Sequence, residues 1–122
     1  MKPAIVTTDP ASAFPTSERC NILESSNVAD DPDCSIARAG VAPGVTTRWH
    51  SLRGTAERYV ILEGQGRVEI GELAPREVGP GDVVRIPPEC RQRIANTGNR
   101  ELVFLAICTP RFLPENYRDL ES

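Results

Sequence analysis

Histidine and lysine each occur only once in this chain of 122 residues. Because His50 is the only histidine, a site that needs several histidines is excluded within one chain. Lys2 is the only lysine, and the net charge is −3 at pH 7. Proteins that bind nucleic acids usually carry a basic patch, so this balance argues against nucleic acid as a partner.

Long hydrophobic runs and paired cysteines are also missing. The chain has no run of about 18 apolar residues and no apolar signal-peptide core at its N-terminus, so we expect no membrane span and a cytoplasmic location. No two of the four cysteines form a CxxC pair, so we expect reduced thiols that pack as small apolar side chains.

Glycine and proline are plentiful, with 9 and 11 residues, and they divide the chain into short β-rich segments. Such segments at this spacing indicate an all-β antiparallel sandwich or barrel. We predict that the barrel spans residues 19–110, after a loose N-terminal arm over residues 1–18. A C-terminal tail over residues 111–122 would contain a short helix at 114–121. The predicted strands cover residues 19–24, 35–41, 46–52, 57–63, 67–70, 83–86, 92–96 and 102–109.

Two segments in the middle of the chain share a pattern with a known family. Residues 44–64 read GVTTRWHSLRGTAERYVILEG, and residues 81–96 read GDVVRIPPECRQRIAN. They resemble the two motifs of the cupin superfamily, because His50, Glu57 and the flanking glycines and prolines fall at the motif offsets. The resemblance implies a double-stranded β-helix, also called a jelly roll. Glu89 stands where the second motif usually has glycine, so either a non-glycine residue adopts that turn or the turn has shifted.

The resemblance also implies a metal site, from which this chain departs. Cupins typically hold a divalent metal with two histidines and a glutamate of the first motif and a histidine of the second. The corresponding residues here are His50, Leu52, Glu57 and Gln92. Leu52 cannot ligate a metal, and Gln92 offers only a neutral amide oxygen. The expected ligands of a divalent metal (Fe, Mn, Ni or Zn) are therefore His50, Glu57 and Gln92.

The alternation of side chains along strands predicts which residues face the interior of the barrel. Glu57 inside a barrel needs a cation, for which a metal, Arg48 and protonated His50 are the candidates. Arg48 has two interpretations: it clamps an anionic ligand, or it forms a structural ion pair with Glu57. The predicted lining of the pocket consists of Thr46, Arg48, His50, Leu52, Glu57, Tyr59, Gln92 and Ile94.

His50 and Glu57 are the candidate catalytic pair, because an imidazole and a carboxyl group can act together as base and acid. Two classes of function stay open. One is a metal-dependent enzyme, oxygenase-like or isomerase-like, with an unknown small substrate. The other is a non-catalytic or structural cupin whose pocket holds a small molecule, an anionic one if Arg48 binds it.

Three apolar residues are predicted to face away from the pocket: Trp49, Val60 and Leu62. Outward apolar side chains on a small barrel are typical of a subunit contact. Since the resemblance also implies that dimers are common, we predict a homodimer.

Overall fold

A computed structural model describes residues 1–121, and it consists of two antiparallel β-sheets. Ser122, the last residue of the predicted tail, lies outside the described residues. The strands are β1 (Phe14–Pro15), β2 (Asn21–Ser26), β3 (Ser35–Val41), β4 (His50–Leu52), β5 (Ala56–Glu63), β6 (Gly66–Ile70), β7 (Arg76–Val78), β8 (Val83–Ile86), β9 (Gln92–Asn96), β10 (Leu102–Thr109) and β11 (Tyr117–Asp119).

The two sheets face each other and enclose the core. One sheet has the strand order β1-β2-β3-β10-β5-β8, and the other has the order β11-β4-β9-β6-β7. Strands that are distant in sequence pair within each sheet, as β3 with β10 and β4 with β9. This arrangement confirms the predicted all-β jelly roll.

Strand β5 shows how the residue pattern builds the wall between core and solvent. Glu57, Tyr59 and Ile61 are buried. Arg58, which lies between the first two, and Leu62, which follows Ile61, are exposed. Burial of a side chain such as Ile61 contributes roughly 1.5–3 kcal/mol to stability. The alternation therefore fixes the inward face of β5, and with it two polar residues that point into the interior.

The turn at Glu89 keeps the geometry that the motif assigns to glycine. Glu89 has a φ of 63°. Its backbone N–H donates to the carbonyl of Leu52 over 2.9 Å, and its carboxylate accepts the N–H of Gly54 over 2.6 Å. These two hydrogen bonds offset the strain of a left-handed conformation in a residue with a side chain.

The predicted C-terminal helix is wrong. Pro114–Asn116 form one turn of 3-10 helix, and Tyr117–Asp119 then form β11. β11 pairs with β4, with Tyr117 opposite Leu52. A helix of about two turns is marginal by itself because its first turn is costly to form, whereas pairing satisfies the free edge of β4. No helix in the described part of the chain is long and apolar enough to cross a membrane.

The outward apolar residues do not form one surface. Val60 and Leu62 lie on the outer face of the six-stranded sheet. Trp49 precedes β4 on the other sheet, where the guanidinium groups of Arg91 and Arg93 lie 4.8 and 4.3 Å from its ring centroid. Trp49 is thus covered by its own chain, and only Val60 and Leu62 remain on the predicted contact face.

Candidate functional site

A cavity of about 290 Å³ lies between the sheets. Inward side chains of β2, β3, β4, β5 and β10 form most of its wall, and residues near both chain ends complete it. Its lining is mainly apolar and includes five aromatic side chains, Phe14, Tyr59, Phe104, Phe112 and Tyr117. The volume lies at the lower end of the range for small-molecule sites.

His50, the first residue of β4, presents one ring nitrogen to this cavity. Its Nδ1 lies 2.7 Å from the backbone carbonyl of Arg48. Since a carbonyl can only accept, Nδ1 carries a proton, and in the neutral ring Nε2 keeps its lone pair. Nε2 lies 3.7 Å from Oε2 of Glu18, and the ring stacks on Tyr117 at a centroid distance of 5.2 Å. The imidazole is therefore fixed in orientation with a basic nitrogen available.

Glu57 of β5 is buried in the wall of the same cavity, which no arginine or lysine among residues 1–121 lines. Its Oε2 accepts a hydrogen bond from the thiol of Cys108 over 3.7 Å, and Oε1 has no partner among the described residues. Burial, and secondly the nearby charge of Glu18, raises the pKa of Glu57 to about 7, while the side chains of Gln92 and Cys108 offset part of this rise. Glu57 is thus poised to hold or release a proton near neutral pH.

Gln92 lies beside the two predicted catalytic residues. It is opposite His50 in the pairing of β4 with β9 and is almost fully buried. Its Oε1 accepts the hydroxyl hydrogen of Tyr59. Burial raises the pKa of Tyr59 well above its usual value, so this hydroxyl keeps its proton. The Tyr59 hydroxyl therefore uses one of the two lone pairs of the Gln92 amide oxygen.

Most of the cavity wall was not predicted from the sequence, including the two residues that contact the His50 ring, Glu18 and Tyr117. Glu18 lies just before β2, where its carbonyl accepts the N–H of Arg48 over 3.2 Å and its N–H donates to the hydroxyl of Thr16. Burial raises the pKa of Glu18, and the charge of His50 lowers it in part. The hydroxyl of Tyr117 is buried without a hydrogen-bond partner among the described residues. Neither residue belongs to a motif, so the sequence offered no signal for them.

The predicted inward face of residues 46–52 needs correction. Strand β4 begins only at His50, and Thr46 forms an isolated bridge to Ala95, so regular alternation does not extend through these residues. Thr47 is buried and lines the cavity in place of Thr46. It is held by Ile94, whose N–H donates to the Thr47 hydroxyl over 3.0 Å.

Arg48 lies outside the cavity. Its guanidinium group pairs with Asp119 of β11 at 3.0 Å and approaches Glu121 at 3.9 Å. It therefore forms neither the predicted pair with Glu57 nor an anion clamp. No arginine or lysine among residues 1–121 lines the cavity.

The remaining predicted pocket residues divide into two groups. His50, Leu52, Glu57 and Tyr59 line the cavity as expected. Gln92 and Ile94 do not line it: Gln92 lies behind Tyr59, to which it is hydrogen-bonded, and Ile94 is fully buried in the hydrophobic core.

The residues present do not fit the metal that the cupin resemblance implies. Leu52 occupies one ligand position, and the neutral amide oxygen of Gln92 already accepts the hydroxyl hydrogen of Tyr59 with one of its two lone pairs. Within residues 1–121, no three His, Cys, Asp or Glu side chains are grouped so that they could hold a metal ion. His50 and Glu57 therefore face the cavity without a complete set of metal ligands among the described residues.

Comparisons with known proteins agree with the fold. The uncharacterized protein MJ1618 of Methanocaldococcus jannaschii is 36% identical over 87 residues, which cover 71% of this chain and 69% of that protein. Glucose-6-phosphate isomerase of Pyrococcus abyssi is 40% identical over 63 residues, but these cover 48% of this chain and only 33% of the isomerase.

Among solved structures, Streptomyces PAC13 with uridine aligns with a TM-score of 0.80 at 18% identity, over 98% of this chain and 92% of that chain. PAC13 is described as a nucleoside dehydratase. At this identity the likeness shows a shared fold. A family model described as "Cupin domain" matches residues 37–108, which is more than half of the chain. The chain therefore belongs to the cupin family.

Proposed function

We propose that the protein binds a small organic molecule in this cavity and transfers protons on it with His50 and Glu57. The observation that carries this proposal is that one cavity is lined by a group able to accept a proton and a group able to donate one. His50 presents an unprotonated Nε2 in its neutral form, and Glu57 has an unpartnered Oε1 and a pKa of about 7. Titratable groups held in different states by their surroundings are the usual basis of acid–base catalysis.

His50 acts as the base. Its hydrogen bond to the Arg48 carbonyl leaves Nε2 as the nitrogen that accepts a proton from the substrate. The imidazolium that results lies beside the carboxylate of Glu18, at 3.7 Å, which stabilises the positive charge.

Glu57 acts as the acid. With a pKa of about 7, a large fraction of its carboxyl groups is protonated at neutral pH and can donate a proton. The Tyr59 hydroxyl, which is bonded to Gln92, fixes the neighbouring amide and keeps its own proton.

The relatives support this class of reaction in a general way. Isomerisation and dehydration both require that one proton is removed and another is supplied. Proteins similar to this chain include a glucose-6-phosphate isomerase and a nucleoside dehydratase. The isomerases match only about half of this chain, so the site itself carries the proposal.

Deuterium exchange from solvent tests the proposal. The purified full-length protein is incubated in D₂O with small aldoses, ketoses and amino ketones, and loss of the hydrogen next to the carbonyl is followed by proton NMR. We expect catalysed exchange with at least one compound, reduced at least about 100-fold in His50→Gln and Glu57→Gln, the usual contribution of a general acid or base. Exchange at the rate of the protein-free blank throughout would contradict the proposal.

A matched control is Glu72→Gln. Glu72 is exposed in the turn between β6 and β7, away from the cavity, and its change alters the net charge as Glu57→Gln does. It should exchange at the wild-type rate.

A further inference from the structure

The charge of the cavity wall restricts what it can hold. Glu57 is buried in the wall and Glu18 is half-buried there, and no arginine or lysine among the described residues lines the cavity. Arg48, the nearest predicted cation, is turned away toward Asp119. A buried carboxylate without a cation is costly, so a positively charged ligand would supply what the wall lacks.

A second observation points to a ligand at the same place. Oε1 of Glu57, a residue with only 8% of its surface exposed, has no hydrogen-bond partner among the described residues, and neither has the buried hydroxyl of Tyr117. Buried polar atoms are nearly always hydrogen-bonded. Both residues line one cavity, so a molecule bound there would supply these partners after a small rotation of either side chain.

The apolar part of the wall suits the body of such a molecule. Phe14, Phe104 and Phe112 line the cavity together with Tyr59 and Tyr117. Aromatic faces attract organic cations as well as apolar groups. The wall therefore combines carboxylates, which accept hydrogen bonds from an ammonium group, with rings that pack on a hydrocarbon skeleton.

We propose that the cavity takes a small organic cation, an ammonium group on an apolar body, and that Glu18 and Glu57 select it over a neutral or anionic molecule of the same shape. The proposal rests on the function proposed above only in that it takes this cavity as the ligand site. Glu18 acts here as a specificity-determining residue, because its carboxylate lines the cavity next to His50 and would contact the ammonium group.

Three probes with one skeleton test the charge preference: benzylamine, benzyl alcohol and benzoate. Their affinities for the full-length protein are measured by calorimetry and NMR titration at about pH 8, where Glu57 is mostly ionised. We expect benzylamine to bind at least about tenfold more tightly than benzyl alcohol, the usual gain from a charge-assisted hydrogen bond, and benzoate to bind most weakly.

Variants assign the preference to the carboxyl groups. Glu18→Gln should weaken benzylamine binding about tenfold and leave benzyl alcohol nearly unchanged, because only the cation loses a charged partner. Glu57→Gln should act in the same direction, which keeps the test valid if one variant fails to fold. Glu72→Gln changes the net charge equally and should have no effect.

Several results would overturn the proposal. These are benzylamine that fails to bind at millimolar concentration, benzyl alcohol or benzoate that binds as tightly as benzylamine, and a charge preference that survives both variants. The deuterium-exchange experiment is independent of these affinities. Catalysed exchange with the wrong charge order would overturn the selectivity and leave the acid–base function standing, whereas the right order without exchange would do the reverse.

Discussion

At the scale of single residues, Glu57 has the clearest energetic consequence. Burial raises its pKa to about 7, from an ordinary value of 4.5 that applies to the unfolded chain. Between these two values the folded protein binds a proton that the unfolded chain has already released. Stability therefore falls as the pH rises through this window, by about 3 kcal/mol in total. The direction is opposite to that of a carboxylate in a salt bridge.

The variant Glu57→Gln tests this consequence, because glutamine has nearly the same shape and cannot ionise. We expect the free energy of unfolding of the wild type to fall relative to that of the variant by about 3 kcal/mol between about pH 4.5 and pH 8. Urea denaturation at several pH values measures both curves. Wild-type and Glu57→Gln curves that run parallel would contradict the assignment, and Glu72→Gln should follow the wild type.

At the scale of elements, the long strands were predictable from the sequence and the shortest strands were not. The strands Ser35–Val41, Val83–Ile86 and Leu102–Thr109 have the predicted bounds, because alternating or continuous apolar residues fix their buried face. Strands β1, β7 and β11 have only two or three residues, too few to show a period. β1 and β7 pair with β2 and β6, their neighbours in the chain, whereas β11 depends on the distant edge of β4, which no local pattern encodes.

The same division applies to the candidate site. His50 and Glu57 face the cavity because their offsets belong to a motif whose strands are regular. Glu18 and Tyr117 reach it only through long-range contacts, with Arg48 in one case and with Leu52 in the other. Arg48 lies outside the cavity, against the prediction, because the regular alternation of side chains begins only at His50, the first residue of β4.

The attachment of β11 is a prediction at this scale. Arg48 pairs with Asp119 at 3.0 Å, and β11 lies at the edge of its sheet, so this pair helps to hold the strand on β4. Asp119→Asn should therefore accelerate amide hydrogen exchange in residues 117–119 and leave the central strand β9 protected. Mass spectrometry of the exchanged peptides measures this.

Arg118→Gln provides the control for that experiment, because Arg118 is an exposed residue of the same strand. Its amides should exchange as in the wild type. Equal protection in Asp119→Asn and the wild type would show that backbone pairing alone holds β11.

At the scale of the whole molecule, the outer face of the six-stranded sheet presents a row of apolar side chains. Leu105 pairs with Val60, and Val60 pairs with Val83, which is 57% exposed. Leu62, on the same strand and face as Val60, is 36% exposed. The exposed Arg38 separates Leu23 of β2 from this row. An apolar row across three neighbouring strands is typical of a subunit contact, so we propose that this face joins two copies of the chain.

Sedimentation at micromolar concentration tests the dimer. The wild type should sediment as a dimer, and Val60→Glu should sediment as a monomer, because a charge in the centre of an apolar contact is left without water. Leu120→Glu is the matched control, since Leu120 is 48% exposed and follows β11, at the edge of the other sheet. A wild type that sediments as a monomer would contradict the proposal.

Both ends of the chain close the cavity whose floor is the barrel. The family model covers residues 37–108, whereas Phe14, Glu18, Phe112 and Tyr117 all lie outside it. Cupins with interchangeable barrels can thus diverge in what they recognise by replacing only their terminal segments. Grafting residues 14–20 and 112–121 onto another cupin barrel would transfer these lining residues. A comparison restricted to the shared barrel does not include them.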